Sequence, residues 1–115
     1  VKIEEYAEKI FKLAVTFEAW VKGRLVGLIA AYFNNPESKS GFITNVSVIK
    51  SYTGRGIAAK LLMMTVDYAN QNHFSEIKLE VDRNNSKAIG LYTKFGFQPV
   101  NEIQGLLHMK RTETI

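Results

Sequence analysis

The chain has 115 residues, 46% hydrophobic and 23% charged, with a formal net charge of +4. That is the composition of one ordinary globular domain, residues 1–115, too short for two cores. Cysteine is absent and histidine occurs only at His73 and His108, which excludes disulfides and thiolate metal sites and leaves no histidine-built metal centre, so no metal is expected. No apolar run approaches the ~18 residues of a membrane span, and the cations are too scattered for a nucleic-acid stripe. A cytoplasmic protein is the expectation, and the small positive excess suits an anionic ligand or simply a soluble surface.

Ile3, Tyr6, Ala7, Ile10, Phe11 and Ala14 recur at helical spacing, with no capping residue ahead of them, so a trimmed or incomplete N-terminus is expected. Val15, Phe17, Ala19 and Val21 then alternate with Thr16, Glu18 and Trp20, the period of a half-buried strand. Lys22-Gly23-Arg24 makes a tight turn into a second strand, Leu25 to Phe33, giving an antiparallel hairpin. A polar loop with Pro36 leads to a third strand from Phe42 to about Ile49. The helix announced at Gly54–Ala59 runs to about Asn70, with Ile57, Leu61, Leu62, Thr65, Val66 and Ala69 as its buried stripe. A strand over Ser75–Val81 follows, with Ile77, Leu79 and Val81 on one face. Asn84-Asn85-Ser86 can cap a short helix carrying Ala88, Ile89, Tyr92 and Phe95, which Gly96 ends. Strands near Phe97–Val100 and Leu106–Arg111 close the chain. The class is mixed α/β on one sheet. A right-handed crossover would set the strands ending at Ile49 and Val81 side by side, parallel and splaying apart.

Glycines at 54 and 56, between a strand and a helix, let the backbone turn sharply and bring its N–H groups close to a ligand. Helix-start amides and the helix dipole favour phosphate there, and Lys50, Arg55 and Lys60 add charge. Alternatively the glycines only allow a tight connection. Gly54-x-Gly56-x-x-Ala59 also satisfies a variant of the dinucleotide fingerprint, with Glu80 or Asp82 as a ribose-binding acid. Against that, Lys50 to Thr53 separate the turn from its strand, and a hairpin precedes it.

The stretch from Val48 to Leu62 resembles the coenzyme motif of the GNAT superfamily of acyl-CoA-dependent acyltransferases. The family pattern is Arg/Gln-x-x-Gly-x-Gly/Ala, and this chain has Thr53-Gly54-Arg55-Gly56-Ile57-Ala58. A second stretch, Asn85 to Phe97, resembles the family's Asn-x-x-Ala, Leu-Tyr and Lys-x-Gly-Phe pattern. The likeness covers about residues 13 to 100. It implies a mixed, mostly antiparallel central sheet with helices on both faces, lacking the family's usual first strand and helix. It also implies acetyl-CoA as co-substrate, with Val46 and Val48 pairing with the pantetheine arm through their main chain. Gly54, Arg55, Gly56, Ile57, Ala58 and Ala59 would hold the pyrophosphate, Asn85 the pantetheine, and Tyr92 would stand beside the thioester sulfur. Thr53 departs from the usual Arg or Gln, a loss for which Arg55 could compensate.

The implied reaction is direct attack of an amine, less readily a hydroxyl, on the thioester. An alkyl ammonium is only ~0.04% neutral at pH 7, so a base is needed. Glu80, Glu18, His108 and Asn45 are candidates to face the acceptor, each with an ordinary surface or structural role as the alternative. Tyr92 is either the acid or a packed aromatic between Leu91 and Phe95. The expected acceptor is a small-molecule or peptide amine, with no nucleic acid or membrane partner and with homodimerisation allowed. The competing readings are a catalytically silent acyl-CoA-binding module and the dinucleotide-binding domain.

Overall fold

The computed structural model describes residues 14–34 and 37–113. Six strands, β1 (Ala14–Val21), β2 (Arg24–Tyr32), β3 (Ser40–Val48), β4 (Glu76–Asp82), β5 (Gln98–Ile103) and β6 (Leu106–Thr112), form one sheet in the order β1-β2-β3-β4-β6-β5. Between them run a short 3-10 turn at Lys50–Tyr52 and two helices, α1 (Ile57–Gln71) and α2 (Ser86–Lys94). Every neighbouring pair is antiparallel except β3 with β4. The sheet is therefore mixed and mostly antiparallel, as expected, and a hairpin precedes the glycine turn. This arrangement removes the dinucleotide alternative, which needs a parallel, doubly wound sheet.

The β1–β2 turn has Lys22 and Gly23 at φ +51 and +77, the two left-handed residues of a primed hairpin turn whose twist matches its strands. Ala14 opens β1 rather than closing a helix. The rest of the helix expected from Ile3 onward lies outside the described residues.

One apolar face carries the core. Register pairs Ala31 with Ile43, Ile43 with Leu79, and Leu79 with Met109, so these side chains share a face, and all four are buried. Along α1, the apolar positions recur with the helical period, and Leu61, Leu62, Thr65, Val66 and Ala69 are buried as expected, with Ile57 half-buried. Gly27 of β2 lies under the start of this helix, and a Cβ there would come within 2.7 Å of Ile57 and 3.2 Å of Leu61. The missing side chain lets α1 approach the sheet closely. Tyr68, further along α1, meets Phe17 and Phe33 at ring separations of 5.7 and 5.0 Å. α2 packs on the same face, since Arg111 of β6, in register with Ile77, donates from Nε to the Phe95 carbonyl at 2.8 Å. A helix on the opposite face, expected from the family pattern, is not among the described residues.

Candidate active site

β3 and β4 begin as partners and then separate. Their pairing runs from Ser40↔Glu76 to Ile43↔Leu79, after which β3 continues to Val48 and β4 to Asp82 without pairing. The cause lies on the other side of β3. Its register with β2 jumps between Ala31↔Ile43 and Ala30↔Asn45, leaving Thr44 as an extra residue. A bulge bends its strand and increases the local twist, here away from β4. Thr44 fastens the bulge by donating its hydroxyl to the Ala30 carbonyl at 3.2 Å. The β4-facing backbone edge of 44–48 is left free to pair with an extended ligand.

A cleft of about 610 Å³ lies beside this opening. Val46 and Val48 form its floor, Tyr52, Thr53, Gly54, Gly56 and Ile57 to Ala59 one wall, and Asn85 with Leu91 and Tyr92 of α2 the other. The cleft thus gathers every residue expected to bind coenzyme except Arg55. The Arg55 guanidinium sits 4.8 Å from the centre of the Tyr52 ring, a cation–π contact with a residue that itself lines the cleft. Lys50 and Lys60 are exposed and also outside the cleft wall. Thr53 spends its hydroxyl on the Lys50 carbonyl at 2.8 Å, closing the 3-10 turn.

The glycine wall suits a diphosphate. Gly54 and Gly56 have φ of +79 and +77, the left-handed region, and a Cβ on either would project into open space. Gly56 occupies the N-cap of α1 without offering any side-chain cap, and the first helical bond is Lys60 N–H to the Gly56 carbonyl at 3.0 Å. The amides of Ile57, Ala58 and Ala59 consequently have no intrahelical acceptor, and the helix dipole adds positive potential there. An anion fits this end. Among the described residues no group of three or more acidic or histidine side chains could hold a metal ion, and no helix is long and apolar enough to cross a membrane.

A second cavity, of about 210 Å³, opens on the other side of the gap. Val46, Asn85 and Tyr92 line both cavities, so the two meet at these residues. Thr44, Asn45, Glu80 and Asp82 make the second cavity polar and acidic. Tyr92 is only 7% exposed, and burial pushes its phenol above the ordinary value of 10.0. It remains a protonated donor throughout the neutral range. Its placement follows from local sequence. The Asn85 side chain accepts from Ala88 N–H at 3.2 Å and starts α2. Gly96 at φ +91 ends it, and the N–H groups of Phe95 and Phe97 both return to the Tyr92 carbonyl.

The residues expected to face the acceptor separate clearly. Glu80 lines the second cavity, with His108 Nδ1 3.9 Å from its Oε1 on the neighbouring strand. His108 itself is not on the cavity wall. Asn45 is on the wall, its Oδ1 accepting from Ser47 Oγ at 2.6 Å. Asp82 is engaged in the turn before α2, accepting from Asn84 N–H at 2.8 Å. Glu18 lies on neither wall; Thr16 and Trp20 donate to its two oxygens at 2.8 and 2.9 Å and hold its carboxyl below the usual value. Reading from sequence also passed over Lys87 and Lys94, which stand on the α2 wall of the first cleft. Their spacing from Leu91, i, i+4 and i+7, was the available signal.

The model of the acetyltransferase (GNAT) family matches residues 3–97. An Arabidopsis thaliana relative named N-alpha-acetyltransferase MAK3 is 34% identical over 82 residues, covering 70% of this chain and 43% of its own length. The chain thus spans less than half of that curated relative. Among solved structures, PH1933 from Pyrococcus horikoshii superposes with a TM-score of 0.83 at 30% identity, covering 96% of this chain and 74% of that one. Arabidopsis thaliana Naa50, in complex with the bisubstrate analogue CoA-Ac-MVNAL, superposes with a TM-score of 0.82 at 28% identity, covering 98% and 82%. With the family model spanning most of its length and the splayed sheet in place, the chain belongs to the acetyltransferase (GNAT) family.

Proposed function

We propose that this domain transfers the acetyl group of acetyl-CoA to the α-amine at the start of a peptide or protein. The observation that carries the reading is the meeting of two cavities at Tyr92: one with an anion-binding helix start, the other small and acidic. The name of the Arabidopsis relative and the peptide-bearing analogue bound to Naa50 support an N-terminal acceptor. So does proton chemistry. An α-amine has a pKa near 7.7–8.0, so roughly a tenth is already neutral at pH 7, far more than for a lysine side chain.

In this reading Val46 and Val48 offer main-chain groups to the pantetheine arm and Asn85 adds a side-chain contact. The turn from Thr53 through Arg55 to Ala59 receives the diphosphate on its amides. Glu80 draws the acceptor's ammonium into the second cavity and takes its proton, directly or through water. The amine nitrogen then attacks the thioester carbonyl carbon and forms the amide bond. The carbon–sulfur bond breaks, Tyr92 supplies a proton to the departing sulfur, and the second proton shed by the new amide nitrogen returns through water to the Tyr92 phenol.

Three acceptor sets, each incubated with acetyl-CoA while thiol release is followed, test this. They are lysine-free peptides with a free N-terminus, Nα-blocked peptides containing lysine, and small-molecule amines. Turnover is expected for the first set. Turnover confined to the others would overturn the α-amine assignment, and acetyl-CoA binding without thiol release would leave a silent binding module. With a responsive peptide, Glu80→Gln should lower kcat about tenfold with coenzyme affinity unchanged, because water can partly replace an exposed base. A wild-type kcat would remove Glu80 from the reaction.

A further inference from the structure

We propose that His108 is a positioning residue behind Glu80, which receives the proton that Glu80 takes from the acceptor and passes it to solvent. The inference deepens the acyl-transfer reading and rests on it, because it gives the proton held by Glu80 a way out.

The proton balance requires such an outlet. Each turnover converts an ammonium and a thioester into an amide and a thiol, and one proton is left over on Glu80. A carboxylate alone keeps that proton poorly. Between free groups a carboxylic acid is a stronger acid than an α-ammonium by a factor on the order of 10³, so the proton falls back to the amine. An imidazolium is stronger by a factor of only about 20. Handing the proton on to an imidazole therefore raises the share of neutral amine available to attack. Nδ1 of His108 accepts it from the Glu80 carboxyl, and the imidazolium then sheds a proton to water, which restores both groups.

The sheet places the two side chains for this exchange. Glu80 of β4 and His108 of β6 are direct register partners, and Nδ1 stands 3.9 Å from Oε1. That is longer than a hydrogen bond, as is common before substrate binds, and a small rotation of either partly exposed side chain closes it. At Glu80, β4 has the acceptor cavity on one side and β6 on the other. An acceptor seated in the cavity covers Glu80 from the first side and leaves His108, with 31% of its side chain exposed, as the route on the second. The other polar groups on this face are occupied or uncharged. Lys78 and Lys110 both turn to Glu76, at 3.4 and 3.8 Å, and Asp82 holds the turn before α2. Asn101, the register partner of His108 on β5, carries no charge. Among the described residues no lysine or arginine forms an ion pair with Glu80. A permanent cation there would hold the carboxylate as an ion pair and weaken it as a base, whereas an imidazole gains its charge only with the proton it receives.

The test follows a single turnover of acetyl transfer from acetyl-CoA to a lysine-free peptide with a free N-terminus. His108→Ala should slow it about fivefold, less than the loss expected for Glu80→Gln because water replaces part of the relay, with the Kd for acetyl-CoA unchanged. Added imidazole should restore the rate of His108→Ala and leave wild type unaffected. His108→Gln, which keeps most of the bulk should the alanine variant not fold, should show the same loss. Either change placed on Glu80→Gln should cost nothing further, since the relay runs through Glu80. A wild-type rate in the folded His108 variants, a loss in His108→Ala that imidazole does not restore, or a loss that adds to that of Glu80→Gln would overturn the proposal and leave Glu80 as the base. A wild-type rate in Glu80→Gln itself would instead remove the base, and this proposal with it.

Discussion

Valine at both 54 and 56 should abolish acetyl-CoA binding in a domain that still folds. Both glycines hold φ near +78, a region that costs an ordinary L residue about 1–2 kcal/mol and a β-branched residue more. No atom lies within 4 Å of a Cβ built on either, so the strain is of the backbone and not a clash. An exposed turn relieves such strain by rotating to negative φ, which costs the core little but re-aims the amides. A hydrogen bond to a charged group is worth about 1.5–3 kcal/mol. Two such bonds lost from the diphosphate correspond to a fall on the order of 10²–10⁴ in affinity. Calorimetry with acetyl-CoA, beside a thermal melt of each protein, separates the two effects. A folded double variant with wild-type affinity would place the coenzyme elsewhere.

The legible parts of this fold are those in which a periodic signal and a physical constraint coincide. Ile77, Leu79 and Val81 alternate in sequence and are buried in β4 because one face of that strand meets the core. The parallel placement of β3 and β4 followed from the helix that joins them. β5 is the contrast: all six of its residues are exposed, so no apolar alternation marked it beyond Val100. It is an edge strand carrying Pro99, with an irregular register at Pro99 to Asn101, and hydrogen bonding to β6 extends it to Ile103. The splay was expected, but the bulge at Thr44 that produces it has no residue signature.

The site divides in the same way. Gly54, Gly56 and Asn85 stood out because glycine turns and helix caps demand particular residue types, whereas Tyr92 stood out only through the family resemblance, its spacing suiting a packed aromatic equally. The direction of Arg55 was not legible, because charge on a turn says nothing about direction; its guanidinium lies over the ring of Tyr52, a residue that itself lines the cleft. Lys87 and Lys94 were hidden for the complementary reason. On a helix surface a lysine is ordinarily a solvated residue, and only the position of α2 across the cleft puts these two on its wall.

Tyr92→Phe should lower kcat by about 10²-fold while leaving the Kd for acetyl-CoA nearly unchanged. The ring is buried against Phe97, with centroids 5.9 Å apart, and phenylalanine fills the same space. Only the hydroxyl is lost, at the junction where both cavities meet. The departing thiolate, with a solution pKa of roughly 8.5, leaves fairly well unaided, so the loss should sit at the lower end of the ~10²–10⁴-fold range for general acids. The pH profile gives a second reading. Burial raises the phenol above 10.0, and an acid catalyst is active in its protonated form. The wild-type contribution of Tyr92 should therefore hold through neutrality and fall only at pH above that value; the Phe variant should lack this alkaline fall. Single-turnover measurements isolate acyl transfer from product release. Full activity in the variant with acyl transfer rate-limiting, or an alkaline fall that survives the substitution, would return Tyr92 to a packing role.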